Sequence, residues 1–314
     1  MHEPPESDRD LSVGLVRLVM AEQFPHLELQ RVEPLGSGWE YDAFLIDGHL
    51  VVRFPRYGDV AADLENAEAV LHLVGSTVGR AVSVPTIILR GKASAHFPHR
   101  FFGHELIHGV DANDSRAPRS LDLASDLGQA LTHIHSVPPR AASEVGIGPQ
   151  KWNCRTAFDA LLRLVDEVPE VGDWAPGPYA WLQGSPTVPA EYSGPPRFIH
   201  DDLQPEHIIV SPSSGRLTGV IDWGAALGDP AQDLTFLLPW RGWPFTRSVL
   251  SAYELPLDAE FMERLDFLGR VRAMGWLAHA VARGESRDIE TSLPLVQNVF
   301  GGESLRTAAL EQVQ

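Results

Sequence analysis

A chain of 314 residues, 44% apolar and 21% charged, has the make-up of an ordinary globular protein with room for two cores; no apolar run approaches the ~18–20 residues that cross a bilayer, so a membrane span is excluded. The formal charge of −17 argues against a nucleic-acid partner and favours a cationic small molecule through long-range attraction. The lone Cys154 excludes an intramolecular disulfide and a cysteine-rich zinc site.

The acidic, proline-bearing start MHEPPESDRD is the opposite of the basic-then-apolar opening of a secretory signal, and a cytoplasmic protein is expected. Leu11, Leu15, Leu18 and Val19 carry helical spacing across 12–24. Residues 27–55 then read as three short strands with turns at Gly36-Ser37-Gly38 and Asp47-Gly48. Val60, Leu64, Ala67, Leu71 and Val74 fall at i, i+4, i+7, i+11 and i+14, the stripe of one amphipathic helix lying on that sheet. VPTIIL at 84–89 and HRFFGHELI at 99–107 supply two more strands, giving a five-stranded sheet with a helix. Beyond Gly109 the texture is helical, with helices expected at about 119–136, 155–168, 231–238, 245–254 and 258–283. The expectation is an α+β chain with an N-terminal lobe over 1–108 and a mostly helical C-terminal lobe over 109–314.

The chemistry concentrates in RFIHDDLQPEHIIVSPSSGRLTGVIDWGAALGDPAQDL, residues 197–234. A loop carrying His200, Asp201 and Asp202 runs into a hairpin turning at SPSSG and ending on Asp222. Phosphoryl transfer needs one carboxylate to orient the attacking hydroxyl and other groups to hold the Mg²⁺ that bridges nucleotide phosphates. Asp202 suits the first role, and the hairpin brings His207 and Asp222 towards one spot for the second. A single Asp beside Pro or Gly more often caps or turns the chain, and Asp201, Asp229 and Asp233 read that way. Glu254, Asp258, Glu260, Glu263 and Asp266 read as a solvated helix face.

His200-Asp201-Asp202-Leu203-Gln204-Pro205-Glu206-His207 and Ile221-Asp222-Trp223 resemble the H-G-D-x-x-x-x-N and I-D-[FW] core of the aminoglycoside phosphotransferase family, distant relatives of protein kinases that include macrolide kinases. The resemblance implies a two-lobed kinase-like fold and transfer of the γ-phosphate of ATP or GTP to a hydroxyl of a small cationic antibiotic, an aminoglycoside first and a macrolide second. By it, Asp202 is the catalytic residue, His207 and Asp222 hold Mg²⁺, and His200 fixes the loop. Asp201 stands where the family usually has Gly, which is tolerable if that position does not need φ > 0. His207 stands where the family usually has Asn, and imidazole is a softer ligand for Mg²⁺; several macrolide kinases and some gentamicin-type kinases are similar in this. Gly36-Ser37-Gly38 resembles the loop over the phosphates, and Arg53 takes the place of the phosphate-binding Lys. Its acidic partner is expected on the following helix, where Glu68 falls about 40° and Glu65 about 100° from the apolar stripe, which favours Glu68. Backbone groups near His104, Glu105 and Leu106 are implied to meet the nucleotide base.

His104-Glu105-Leu106-Ile107-His108 also fits H-E-x-x-H, the helical signature of zinc peptidases. That alternative demands a helix, whereas the motif is bracketed by Gly103 and Gly109 in a strand-like setting.

Overall fold

The computed structural model describes residues 10–301 apart from 115–117, 119, 121 and 285, so the acidic first nine residues and the expected helix start at 119 lie outside the described residues. The chain forms two compact units, Met1–His108 with Gly219–Ile221, and Gly109–Thr218 with Asp222–Gln314.

In the first unit, Ser12 caps helix α1 (Val13–Gln23) by accepting from the Leu15 N–H at 3.2 Å. Its inward stripe is Val16, Val19 and Met20, with Leu11 and Leu15 packed against the same core as expected, while Leu18, 46% exposed, is the one expected residue that faces away. Strands β1 (Val32–Ser37), β2 (Tyr41–Ile46), β3 (Leu50–Pro55), β4 (Ile87–Gly91) and β5 (Phe101–Glu105) form one antiparallel sheet in the order β1-β2-β3-β5-β4. Asp47 and Gly48, both at positive φ (49° and 73°), make the tight β2–β3 reversal. Phe44, Val52, Phe54 and Phe101 build the core against α1. The single helix expected over 60–74 is two, α2 (Gly58–Ala62) and α3 (Leu64–Thr77). Asp63 (φ −85°, ψ 1°) separates them: its N–H ends the first turn on Asp59 and Val60 carbonyls, and its carboxylate accepts from the Asn66 side chain.

In the second unit, β6 (Val110–Asp111) is followed by α4 (Asp122–His135), α5 (Pro139–Glu144), α6 (Cys154–Glu167), α7 (Val171–Trp174) and α8 (Pro176–Gln183). Strands β7 (Arg197–Ile199), β8 (Ile208–Val210), β9 (Leu217–Val220, its last two residues counted with the first unit) and β10 (Ala226–Gly228) come next, then α9 (Leu237–Ser251), α10 (Phe261–Arg283) and α11 (Ser286–Phe300). β10 pairs with β7, and β6-β8-β9 form a small sheet whose hairpin closes where Ser211 N–H donates to the Arg216 carbonyl at 2.9 Å. The helix expected at 231–238 is a 3-10 turn over Pro230–Leu234 running into α9, and α9 is interrupted at Gly242 (φ 71°). Helix α10 is buried along most of its length, with α6, α9 and α11 around it. A Cβ at Gly128 would lie 2.4 Å from the Val249 carbonyl oxygen, so glycine is what lets α4 rest on α9 and carry His135 inward.

Candidate active site

The loop after β7 is fixed from below by one buried carboxylate. Asp233, wholly buried, accepts the backbone N–H of His200 at 2.7 Å and of Asp201 at 2.9 Å. Its Oδ2 also lies 3.0 Å from His135 Nε2, and His135 Nδ1 lies 2.8 Å from the Tyr253 hydroxyl. Burial pushes the Asp233 carboxyl up, yet the hydrogen bond and charge of His135, with those of His200, outweigh it and hold the group below the usual carboxylate range. The imidazole of His200, fully buried, accepts the Asp202 N–H at Nδ1 (3.3 Å) and packs on Trp223 with ring centroids 4.6 Å apart. The expected structural roles of Asp233 and His200 are what these contacts describe. Asp229 is likewise structural, capping the 3-10 turn through Ala231 N–H and pairing with buried Arg264 at 2.6 Å. Asp258 and Asp266, expected on a solvated face, pair instead with Arg264 (2.7 Å) and Arg270 (3.2 Å).

Asp201 has φ +66°, so the expectation of a negative φ at this position is overturned. The two N–H groups that Asp233 gathers hold the chain in this left-handed turn, and Asp is among the residues that tolerate it best after Gly. Burial, with Asp233 and Asp202 close by, pushes its carboxyl up to about 6.

Asp202 points outward, its side chain 56% exposed, so an acceptor can reach it. Burial of its surroundings raises the carboxyl, His207 and Arg272 oppose that rise, and Asp222 and Asp233 add to it. Gln204 opens a 3-10 turn, Pro205–His207, that swings His207 back under the loop. His207 Nδ1 donates to the Asp202 carbonyl oxygen at 2.6 Å, which orients the ring so that Nε2 lies 3.5 Å from Asp222 Oδ2 and, in the neutral imidazole, carries the lone pair. Asp222 itself sits at φ +58°, turning its carboxylate out of the strand direction just where β9 ends. An imidazole lone pair and a carboxylate oxygen facing one point are two donors for a divalent cation. Mg²⁺ usually takes one or two protein ligands and completes its shell with water and substrate phosphates, so this pair fits it. Among the described residues no group of three or more His, Cys, Asp or Glu forms a self-sufficient metal cage.

In the first unit Gly36 ends β1 beside a bulge, and a Cβ there would meet nothing within 4 Å; the glycine leaves open space that the protein's own packing does not use. Ser37 pairs with Asp42, and Gly38 N–H donates to the Tyr41 carbonyl at 2.9 Å. Arg53 in β3 lies over the Tyr41 ring, 4.7 Å from its centroid. Glu68 is the inward glutamate, 16% exposed against 80% for Glu65. Its ion pairs go to Arg90 (2.8 Å) and Arg100 (3.8 Å), and Glu65 pairs with Arg100 (2.8 Å), so the pairing expected with Arg53 is not the one these carboxylates make; two nearer arginines on neighbouring segments take them. The Leu106 N–H, expected to face a base, donates to the His49 carbonyl at 2.7 Å and is spent. The Glu105 carbonyl accepts from His104 Nδ1 at 2.9 Å and keeps its second lone pair.

The zinc-peptidase alternative fails on geometry. His104 and Glu105 lie in strand β5 and His108 in the irregular chain after it, so the helix that the motif requires is absent, and among the described residues no three His, Cys, Asp or Glu side chains gather to hold a metal.

Sequence reasoning missed His135, Tyr253 and Arg272. For His135 a signal existed, a histidine on the same helical face as Leu127, Leu131 and Ile134; for Tyr253 and Arg272 there was none, since their partners are far away in sequence.

A sheet with a helix, followed by a helical unit whose loop presents Asp, His and Asp in this order, defines a kinase-like phosphotransferase. The model of the phosphotransferase enzyme family matches residues 31–268, well over half of the chain, and the chain belongs to that family. Among solved structures, the GDP complex of an aminoglycoside 2'-phosphotransferase-IIIa variant is similar over 94% of this chain and all of its own, with TM-score 0.72 and 24% identity. Macrolide 2'-phosphotransferase type I is similar over 91% of this chain and 98% of its own, with TM-score 0.62 and 20% identity. Both likenesses establish the fold. An uncharacterized Bacillus subtilis (strain 168) protein, YcbJ, is 27% identical over 146 residues, 45% of this chain and about half (46%) of that relative. No helix among the described residues is long and apolar enough to cross a membrane.

Proposed function

We propose that this phosphotransferase moves the γ-phosphate of ATP or GTP, as its Mg²⁺ complex, to a hydroxyl of a small molecule. The observation that carries the reading is the convergence of His207 and Asp222: Nδ1 is tied to the Asp202 carbonyl, which aims Nε2 at Asp222 Oδ2, 3.5 Å away, and a metal bound there would take the Nε2 electron pair. Mg²⁺, when bound by these two, supplies charge neutralisation at the phosphates. Asp202, the exposed carboxylate of the loop, orients the attacking hydroxyl and takes its proton late, because a loose transition state asks for little proton abstraction. Gly36, with open space beside its backbone, and Ser37 and Gly38, together with Arg53, hold the phosphates, and Glu68 keeps that region's charge in register through the arginines it binds. The remaining lone pair of Glu105 reads the base, in place of the Leu106 N–H. The resemblance ranks acceptors for testing as aminoglycosides first and macrolides second, and a cytoplasmic site of action suits either.

The test is nucleotide turnover by purified protein with Mg²⁺, ATP against GTP, over a panel of small alcohols that includes both antibiotic classes, with Asp202→Asn alongside. Acceptor-stimulated turnover that falls by about 10²–10⁴-fold in the variant is expected. Stimulation that survives Asp202→Asn would sink the assignment of that residue, and nucleotide binding with no transfer to any alcohol would sink the activity.

A further inference from the structure

Helix α10 turns one arginine towards the catalytic loop without giving it an ion pair. Arg272 Nη1 donates to the Leu203 carbonyl oxygen, the residue after Asp202, at 3.2 Å. The guanidinium lies 5.9 Å from the ring centroid of Trp276, one turn further along α10. Among the described residues no carboxylate comes within 4.0 Å of it, although Asp202, Asp233, Asp201 and Glu206 are the acidic groups acting on it. Three of those four have other partners: Asp233 is taken by His135 and two backbone N–H groups, Glu206 accepts from the Asn113 amide at 2.8 Å, and Asp202 faces His207. A guanidinium has five N–H donors, and half-buried Arg272 uses one on the loop, so the other donors of the fork have no hydrogen-bond partner among the described residues. Arginine is also the side chain whose planar fork matches a carboxylate or phosphate in two parallel hydrogen bonds, and the adjacent indole offers an apolar wall to the ligand's carbon frame.

We infer that Arg272, backed by Trp276, is the specificity-determining residue of the acceptor side and binds an oxyanion, a carboxylate or phosphate ester, that the substrate carries close to its accepting hydroxyl. The inference rests on the reading of Asp202 as the acceptor-orienting carboxylate. It narrows the acceptor to a hydroxylated anion and away from polycations, whose ammonium groups the guanidinium repels. The chain's net charge of −17 attracts cations from a distance, but salt screens that field beyond about 8 Å, and the contact charge decides which acceptor stays.

The experiment titrates three polyols into the nucleotide-loaded protein by ligand-observed NMR: gluconate (anionic), glucitol (neutral) and kanamycin (polycationic). Gluconate is expected to bind at least tenfold more tightly than kanamycin, with glucitol between. Arg272→Gln should weaken gluconate by about tenfold or more and reverse its order with kanamycin, and Arg272→Lys, which keeps the charge and loses the fork, should recover part of the loss. Gluconate that fails to bind, or an order of affinities that Arg272→Gln leaves unchanged, overturns the inference. A thermal midpoint matching wild type separates lost contact from lost fold in each variant. Nucleotide binding and Asp202-dependent turnover, measured on the same preparations, report on the phosphotransferase reading separately, so either can fail without the other.

Discussion

The loop 200–207 and the strand carrying Arg53 both present functional residues, yet they are held by opposite means. Arg53 sits mid-strand in β3, paired on one side to Ala43 and on the other to Phe102, so the ladder positions it whatever its side chain does. The loop has no ladder beyond Ile199. Its shape comes from buried side chains, Asp233 gripping two backbone N–H groups with His135 behind it, His200 under Asp202, and Trp223 under His200. A sheet tolerates substitution where side chains leave it; a loop built on buried polar groups does not, because each lost partner leaves a desolvated donor behind.

That contrast is broken most severely by Asp233→Ala. It strands two backbone N–H groups and the His135 ring in a site with no solvent access. The expected cost is about 3–5 kcal/mol, or roughly 10 °C of thermal midpoint for a unit of this size. Hydrogen exchange should rise at the His200 and Asp201 amides while the β1–β5 sheet stays protected. A midpoint within a degree or two of wild type would mean that the loop is held by something other than this carboxylate.

Much of the architecture could be read from the sequence because its signals are local. The short apolar runs of β2 and β3, the Asp47-Gly48 reversal and the stripe of the 60–74 segment each lie within about fifteen residues. What failed to show has a physical reason in each case. Asp63 looked like one more polar residue on a helix face, and its capping of two helices appears once the backbone is seen to stop there. α11 carries Pro294 in its interior and α9 a positive-φ Gly242, features that read as breaks. Asp202, His207 and Asp222 were legible through motif spacing, but Asp233 acts on residues 32 and 33 positions earlier and meets His135 at a separation of 98, and no periodicity reports such a contact.

Asp201 sharpens the comparison at an intermediate scale. At φ +66° glycine relieves the left-handed strain, and Asp201→Gly also removes a carboxyl pushed up to about 6 by burial and its acidic neighbours. The variant should be more stable by about 1 kcal/mol at neutral pH. The pH dependence has a definite sign. The folded-state value lies above the ~3.9 of an unfolded aspartate, so the folded state binds more protons between pH 4 and 6, and this group's contribution to stability is lost as pH rises through that window. The advantage of Asp201→Gly over wild type should therefore be larger at pH 7.5 than at pH 4.5, measured by denaturant titration. A gain that is the same at both pH values would assign the whole effect to backbone strain and none to the buried carboxyl.

Glu68→Gln is the smallest change and the most telling for the first unit. The glutamate is nearly buried, but Arg90, its nearest partner, is 58% exposed, so the pair contributes little, and a loss below about 1 kcal/mol is expected. Glu68 Oε1 is buried without a hydrogen bond, an acceptor left over after Arg90 and the more distant Arg100 are counted. If that oxygen serves the phosphate-binding region, Glu68→Gln should raise the KM for nucleotide severalfold with stability almost unchanged, whereas Glu65→Gln, at an 80% exposed position, should alter neither. Equal effects from the two glutamates would show that the sheet alone places Arg53, which is the extreme form of the contrast with the loop.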